Sequence, residues 1–215
     1  MSEVLLKIEN LNKSFGITHA NVNINFELKA GEVRGLAGEN GSGKSTLLSQ
    51  IAGLYGSDSG KMYIRGEEYS PKNPVDANNH KVAMVVQELG MIGSLPASIN
   101  IYLGKTKKFI KMNDLQDQAN AVSDRWGLPR VNLKRMAGSM NIENRKMVEL
   151  IRALAADPDI LILDEVTQSL SHDNRKVLYD LIEKIQRRRT FHHPDLPRSG
   201  RGNPADRLHL HLTRR

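Results

Sequence analysis

Residues 38–45 read Gly38-Glu39-Asn40-Gly41-Ser42-Gly43-Lys44-Ser45, a complete G-x-x-x-x-G-K-[ST] pattern. Val33–Ala37 before it reads as a short strand and Thr46–Ala52 after it as a helix, the setting in which this pattern forms a phosphate loop. Gly38, Gly41 and Gly43 let the backbone wrap closely, so that successive N–H groups and the positive end of the following helix face phosphate oxygens. Lys44 is placed to reach β- and γ-phosphates, and Ser45 to ligate Mg²⁺. Asn40, Ser42 and Thr46 complete the expected nucleotide contacts. The spacing therefore predicts an α/β fold that binds a nucleoside triphosphate.

The chain has 215 residues, enough for one sizeable core, or a core with a small lobe. It has no cysteine, which excludes disulfides, thiol nucleophiles and thiolate metal sites and suits a reducing cytosol. Met1–Glu9 carries Glu3 and Lys7 among its apolar residues and does not read as a signal peptide. No stretch approaches the roughly 18 apolar residues that span a bilayer, so a membrane role is expected to be peripheral, through a partner. The net charge of +7 invites a nucleic-acid reading, but residues 187–215 hold eight Arg and no Lys against Asp195 and Asp206. The first 186 residues are nearly neutral, at +1, and no nucleic-acid partner is expected.

Val4–Glu9, Asn21–Glu27 and Lys61–Arg65 read as strands, with Val22, Ile24 and Phe26 alternating on one face. Val82–Val86 and Ile160–Leu163 are short apolar runs bounded by polar residues, as buried parallel strands are. Between Pro96 and Ala156 the periodicity turns helical: Met112–Trp126 spaces its apolar residues, and Met147, Val148, Leu150, Ile151 and Leu154 fall on one stripe. Beyond Gln186 the chain turns to Arg187-Arg188-Arg189, His192-His193, Pro194, Pro197 and Pro204, and periodicity is lost.

Ile160-Leu161-Ile162-Leu163-Asp164-Glu165 is an apolar strand ending in two carboxylates, with Asp164 placed 120 positions after Lys44. Such a strand delivers its last residues to the sheet edge beside the phosphates, where Asp164 can hold Mg²⁺ and Glu165 can polarise the attacking water. Gln87 ends the strand Val82–Val86, where its amide could reach both Mg²⁺ and that water. A phosphate loop, then Gln87, a helical insertion and Asp164-Glu165 in this order resemble the ATP-binding cassette of ABC transporters over residues 3 to about 186. The resemblance implies a P-loop NTPase core with a parallel sheet, an antiparallel N-terminal β edge and an inserted helical subdomain at about 96–156, all within an ATP-binding domain of residues 1–186. It implies ATP and Mg²⁺ as ligands, Phe15 stacked on adenine, Gln87 as metal contact and relay to the membrane subunit, and Ser169-Leu170-Ser171 touching an opposite cassette.

Gln87-Glu88-Leu89, Ser98 to Gly104 and Met147-Val148-Glu149 are similar to the subgroup that serves importers of simple sugars. That implies transmembrane permease subunits, a second cassette in a dimer, a periplasmic sugar-binding protein, and a place on the inner face of the cell membrane. The chain looks like the first of two fused cassettes, cut short. A P-loop kinase would need an Arg-rich lid and a DNA-repair cassette sustained heptads, and neither pattern occurs between Pro96 and Ala156.

Two departures bear on turnover. The family's Leu-Ser-Gly-Gly-Gln segment falls on Met140-Asn141-Ile142-Glu143-Asn144, with no residue in common. Asn141 could still donate a hydrogen bond to a phosphate. Glu143 has two readings: facing a phosphate about 5 Å away it would oppose binding by about 3 kcal/mol at an effective dielectric near 20, or it turns aside at the helix start, where acidic residues are favourable. The family's switch histidine follows a further apolar strand after the helix Asn174–Gln186, and only His192 and His193 stand near that place. Residues 187–215 read as a disordered tail or one translated in a shifted frame, with a basic arm for anionic partners as the competing reading. Nucleotide binding without turnover is therefore the alternative function.

Overall fold

The computed structural model describes residues 3–85, 90–104, 111–164, 166 and 170–190, the last four of these by backbone alone. They fall into two compact units, Met1–Pro74 with the chain from Ile182 onward, and Val75–Leu181.

In the first unit, β1 (Val4–Phe15) and β2 (Thr18–Lys29) form a long antiparallel hairpin. With β3 (Ser59–Ile64) and β4 (Glu67–Glu68) they make a four-stranded antiparallel sheet in the order β2-β1-β3-β4. The hairpin's register shifts at four places, and two of these fall at Asn10 and Asn23, both in the left-handed region at φ 50 and 51. Asn tolerates that region because its side chain can bond locally. Asn25 Oδ1 accepts from Asn10 N at 3.0 Å and Asn12 Oδ1 from Asn23 N at 2.8 Å, so side-chain amides replace ladder bonds that the bulges remove. The bulge breaks the expected alternation: Ile24 and Phe26 are half-buried, whereas Val22 is 62% exposed. Gly60 has to be glycine there, since a Cβ would lie 2.3 Å from Asn10 O.

Helix α1 (Lys44–Ile51) follows the phosphate loop and buries Leu47, Leu48 and Ile51. Its C-terminal carbonyl at Ile51 accepts from the buried Tyr69 hydroxyl at 2.7 Å. The strand expected at Val33–Ala37 is absent: the residues form no ladder with any described strand, and Arg34 instead bonds Glu32 and lies over the Phe26 ring. Gly35 and Arg34 at its centre offer little to a buried strand.

In the second unit, after the short helix α2 (Pro74–Asn79), β5 (Val82–Val85) and β6 (Ile160–Leu163) pair in parallel, Val85 opposite Leu163. Helices α3 (Ala97–Tyr102), α4 (Met112–Trp126) and α5 (Ile142–Leu154), with a 3-10 turn at Ala137–Ser139, fill the span expected to be helical. The insertion lies in the same compact unit as β5 and β6. Met147, Val148, Leu150, Ile151 and Leu154 are all at most 2% exposed, as their spacing predicts, and each contributes about 1.5–3 kcal/mol by burial. Helix α6 (His172–Thr190) runs four residues past the expected end at Gln186, so the backbone of Arg187-Arg188-Arg189 is helical. The expectations for 191–215, including His192 and His193, lie outside the described residues.

Candidate nucleotide site

The phosphate loop turns on Gly41 and Gly43, at φ 83 and 84, where a side chain would be strained. Gly43 is the N-cap of α1, and no side chain caps it or brings an acid into the first turn. The first-turn N–H groups are thus left to an anion, with the helix dipole favouring one. Gly38, Glu39, Asn40, Gly41 and Ser42 are exposed, Lys44 is half-buried, and Ser45 and Thr46 open the helix. Lys44 Nζ arches back over the loop to Gly38 O at 2.7 Å, Glu39 O at 2.6 Å and Ser42 Oγ at 3.1 Å. A cation held over the loop by two backbone carbonyls and a hydroxyl fits a polyphosphate, whose oxygens would replace them. A Cβ on Gly38 would fall 2.8 Å from Ser42 Oγ, so the cradle's width depends on glycine.

Phe15 ends β1 in the same unit and is 44% exposed, on the surface rather than in the core. Its ring meets Tyr55 edge-on at 5.2 Å, and the Lys13 ammonium sits 5.5 Å from its centroid. Lys13 is held by Asp58 at 2.8 Å. Asp58 also accepts from Ser14 N, and these two bonds, Lys13 first, hold its carboxyl below the usual range. The result is an aromatic edge steadied from two sides, suited to stacking on a base.

Asp164 directly follows β6, is 4% exposed, and donates its N–H to Val85 O at 3.2 Å. The parallel register therefore brings it beside the strand that leads to Gln87. Gln87 itself, Glu165 and Ser169 lie outside the described residues.

Downstream of Gln87, α5 grips the chain. Glu149 Oε1 accepts from Gly90 N at 3.1 Å, and Arg152 donates to Gly90 O at 3.0 Å, so one residue is held at both its N–H and its carbonyl. Burial raises the Glu149 pKa, and its 3.0 Å ion pair with the buried Lys146 opposes that rise. Asn100, 1% exposed, accepts from Ile92 N and donates to the carbonyls of Ile92, Leu95 and Pro96. Gly138 N reaches Gly93 O at 2.9 Å, and a Cβ on Gly138 would lie 3.1 Å from that oxygen.

Residues 22–168 match the ABC transporter family. The chain belongs to that family. It is 33% identical over 186 residues, 85% of its length, to a "putative ribose/galactose/methyl galactoside import ATP-binding protein 1" of Agrobacterium fabrum. A galactose/methyl galactoside import ATP-binding protein of Treponema denticola is 34% identical over 87% of the chain. The chain spans only 37 to 38% of the length of these relatives. Among solved structures, the ATP-binding cassette MJ0796 bound to ADP and Pi superposes with a TM-score of 0.75 at 23% identity, over 86% of this chain and 84% of that one.

In this ABC cassette the degenerate segment Met140–Asn144 takes the second of its two readings. Glu143 turns aside, though not onto its own helix: its carboxylate accepts from Ser171 N at 2.9 Å and Asn174 Nδ2 at 2.7 Å. Bonds from Ser171, then Asn174, hold its pKa below the usual range. Asn141 is the N-cap of α5 and accepts from Asn144 N at 2.8 Å, so its side-chain oxygen serves its own helix. The Gly90 grip and the Asn100 knot were missed in the sequence, although Asn100 and Glu149 stand inside the segments that carried the sugar-importer resemblance.

Proposed function

We propose that this chain binds MgATP and, as the nucleotide-binding subunit of an ABC importer, couples its hydrolysis to the uptake of a simple sugar. The observation that carries the reading is a phosphate cradle and an exposed aromatic edge on one compact unit. The sugar-import names of the relatives support the substrate class.

Gly38 to Thr46 would hold the phosphates, Phe15 the adenine, and Ser45, Gln87 and Asp164 the Mg²⁺. Bound there, Mg²⁺ would supply charge neutralisation on the transferring phosphoryl group. Lys44 exchanges its loop carbonyls for phosphate oxygens, Glu165 polarises water, and Gln87 senses the bound nucleotide. The partners are permease subunits, a second cassette and a periplasmic sugar-binding protein, with the chain peripheral on the inner membrane face. No helix among the described residues is long and apolar enough to cross a membrane.

A second reading, nucleotide binding with little turnover, is favoured by Glu143, which stands where the family has glycine and is tied to Ser171 and Asn174. Steady-state ATPase of the wild type and of Glu165→Gln separates the two. A rate lost in the variant supports the enzyme, and an unchanged background rate leaves the binding module.

A further inference from the structure

We propose that Asn21 is a nucleotide-positioning residue, a single buried amide that registers the Phe15 edge with the phosphate loop. The inference rests on the ATP-binding reading above. Asn21 is 4% exposed, and its Nδ2 donates to Gly43 O at 3.0 Å. Its orientation is fixed chemically, because a carbonyl can only accept. The same strand presses from the neighbouring residue: a Cβ on Gly43 would lie 2.0 Å from Ala20 O. The hairpin and the start of α1 are thus in backbone contact, with Asn21 as their hydrogen bond.

From that anchor the hairpin leads to the aromatic edge. Asn21 is paired with Lys13, whose ammonium lies over the Phe15 ring, and Thr18, three residues back along β2, is paired with Phe15. Three residues of strand span about 10 Å, the scale of a nucleotide from base to phosphates. A shift of the hairpin against Gly43 would therefore change the distance between the two ends of the ligand's seat.

Packing does not account for the amide. Its Oδ1 is buried with no hydrogen-bond partner among the described residues. A half-satisfied buried amide is less favourable to folding than an aliphatic side chain of similar size, so the fold by itself would be served as well by leucine. What leucine would not supply is the bond to the Gly43 carbonyl.

The test compares ATP with inorganic tripolyphosphate, which needs the loop but no base platform, by calorimetric titration of the full chain. For Asn21→Leu the expected result is a melting temperature at or above wild type, ATP affinity lower by about tenfold, the value of one hydrogen bond of about 1.4 kcal/mol, and tripolyphosphate affinity within about twofold of wild type. Asn21→Ala, which removes the amide without adding a charge beside the phosphate loop, is expected to give the same separation. Unchanged ATP affinity, equal loss for both ligands, or failure of both variants to fold would overturn the proposal. If wild-type ATP binding is absent or indifferent to Lys44→Ala, the ATP-binding reading fails first, and that result is distinct from any Asn21 outcome.

Discussion

Replacing Lys146 with methionine takes the ion-pair partner from the buried Glu149 carboxylate and leaves it the Gly90 N–H and the Arg152 charge. The two side chains are 3% and 6% exposed and meet at 3.0 Å, so little solvent reaches them. Breaking such a pair from one side costs about 3–5 kcal/mol. With a urea m-value of about 2 kcal/mol/M, the unfolding midpoint of Lys146→Met should fall by about 1.5–2.5 M at pH 8. Trp126, the single tryptophan, is 8% exposed in α4 of the same unit and provides the fluorescence signal. The pH dependence follows from the direction of the Glu149 shift. Burial raises its pKa and Lys146 opposes the rise, so loss of Lys146 raises it further. An acid with a raised folded pKa contributes stability that is present below its unfolded pKa, near 4.3, and is lost as pH rises through the folded value. The deficit should therefore shrink at pH 5 and be greatest at pH 8. The double variant Lys146→Met/Glu149→Gln removes both charges but keeps an acceptor for Gly90 N, and should recover to within about 1 kcal/mol of wild type. A single variant of wild-type stability at pH 8, or one with an equal deficit at both pH values, would refute the reasoning.

Three further outcomes are expected. Gly43→Ala should lower the melting temperature even without nucleotide, because its Cβ meets Ala20 O, whereas Gly41→Ala, with nothing within 4 Å of its Cβ, bears only a left-handed penalty of about 1–2 kcal/mol. Asn100→Ala strips a hydrogen bond from four backbone groups of residues 92–96 and should destabilise the chain by at least about 2 kcal/mol in urea titration, with proteolysis increasing at that loop. Glu143 has a lowered pKa, so its contribution is present above the unfolded carboxylate value and lost as pH falls through the folded one. Glu143→Gln should accordingly match wild type in hydrogen exchange at Ser171 in acid and exceed it at neutral pH; equal protection at neutral pH would count against the tie.

The phosphate loop, the α5 stripe, the parallel strand ending at Asp164 and the family were legible in the sequence because each rests on spacing along a few residues. A glycine pattern fixes a turn and a 3.6-residue period fixes a face, whatever else the chain does. Val33–Ala37 shows the limit of that reading: a strand exists only when another strand supplies its ladder, and none of the described ones does. Val22 shows another, since one bulge at Asn23 moves a side chain to the other face.

By itself, then, the sequence determined which residues could face a nucleotide. Only the tertiary structure decided what those residues touch. Glu143 could have faced phosphate or turned away, and it turned toward Ser171 and Asn174, 28 and 31 positions on. Gly90 is gripped by Glu149 from 59 positions away, and Gly43 by Asn21 from 22. Contacts at such separations have no period to betray them. They form because folding places a donor within 3 Å or so of an acceptor that has lost water, and the energy of a buried hydrogen bond then selects one geometry among those the local pattern allows.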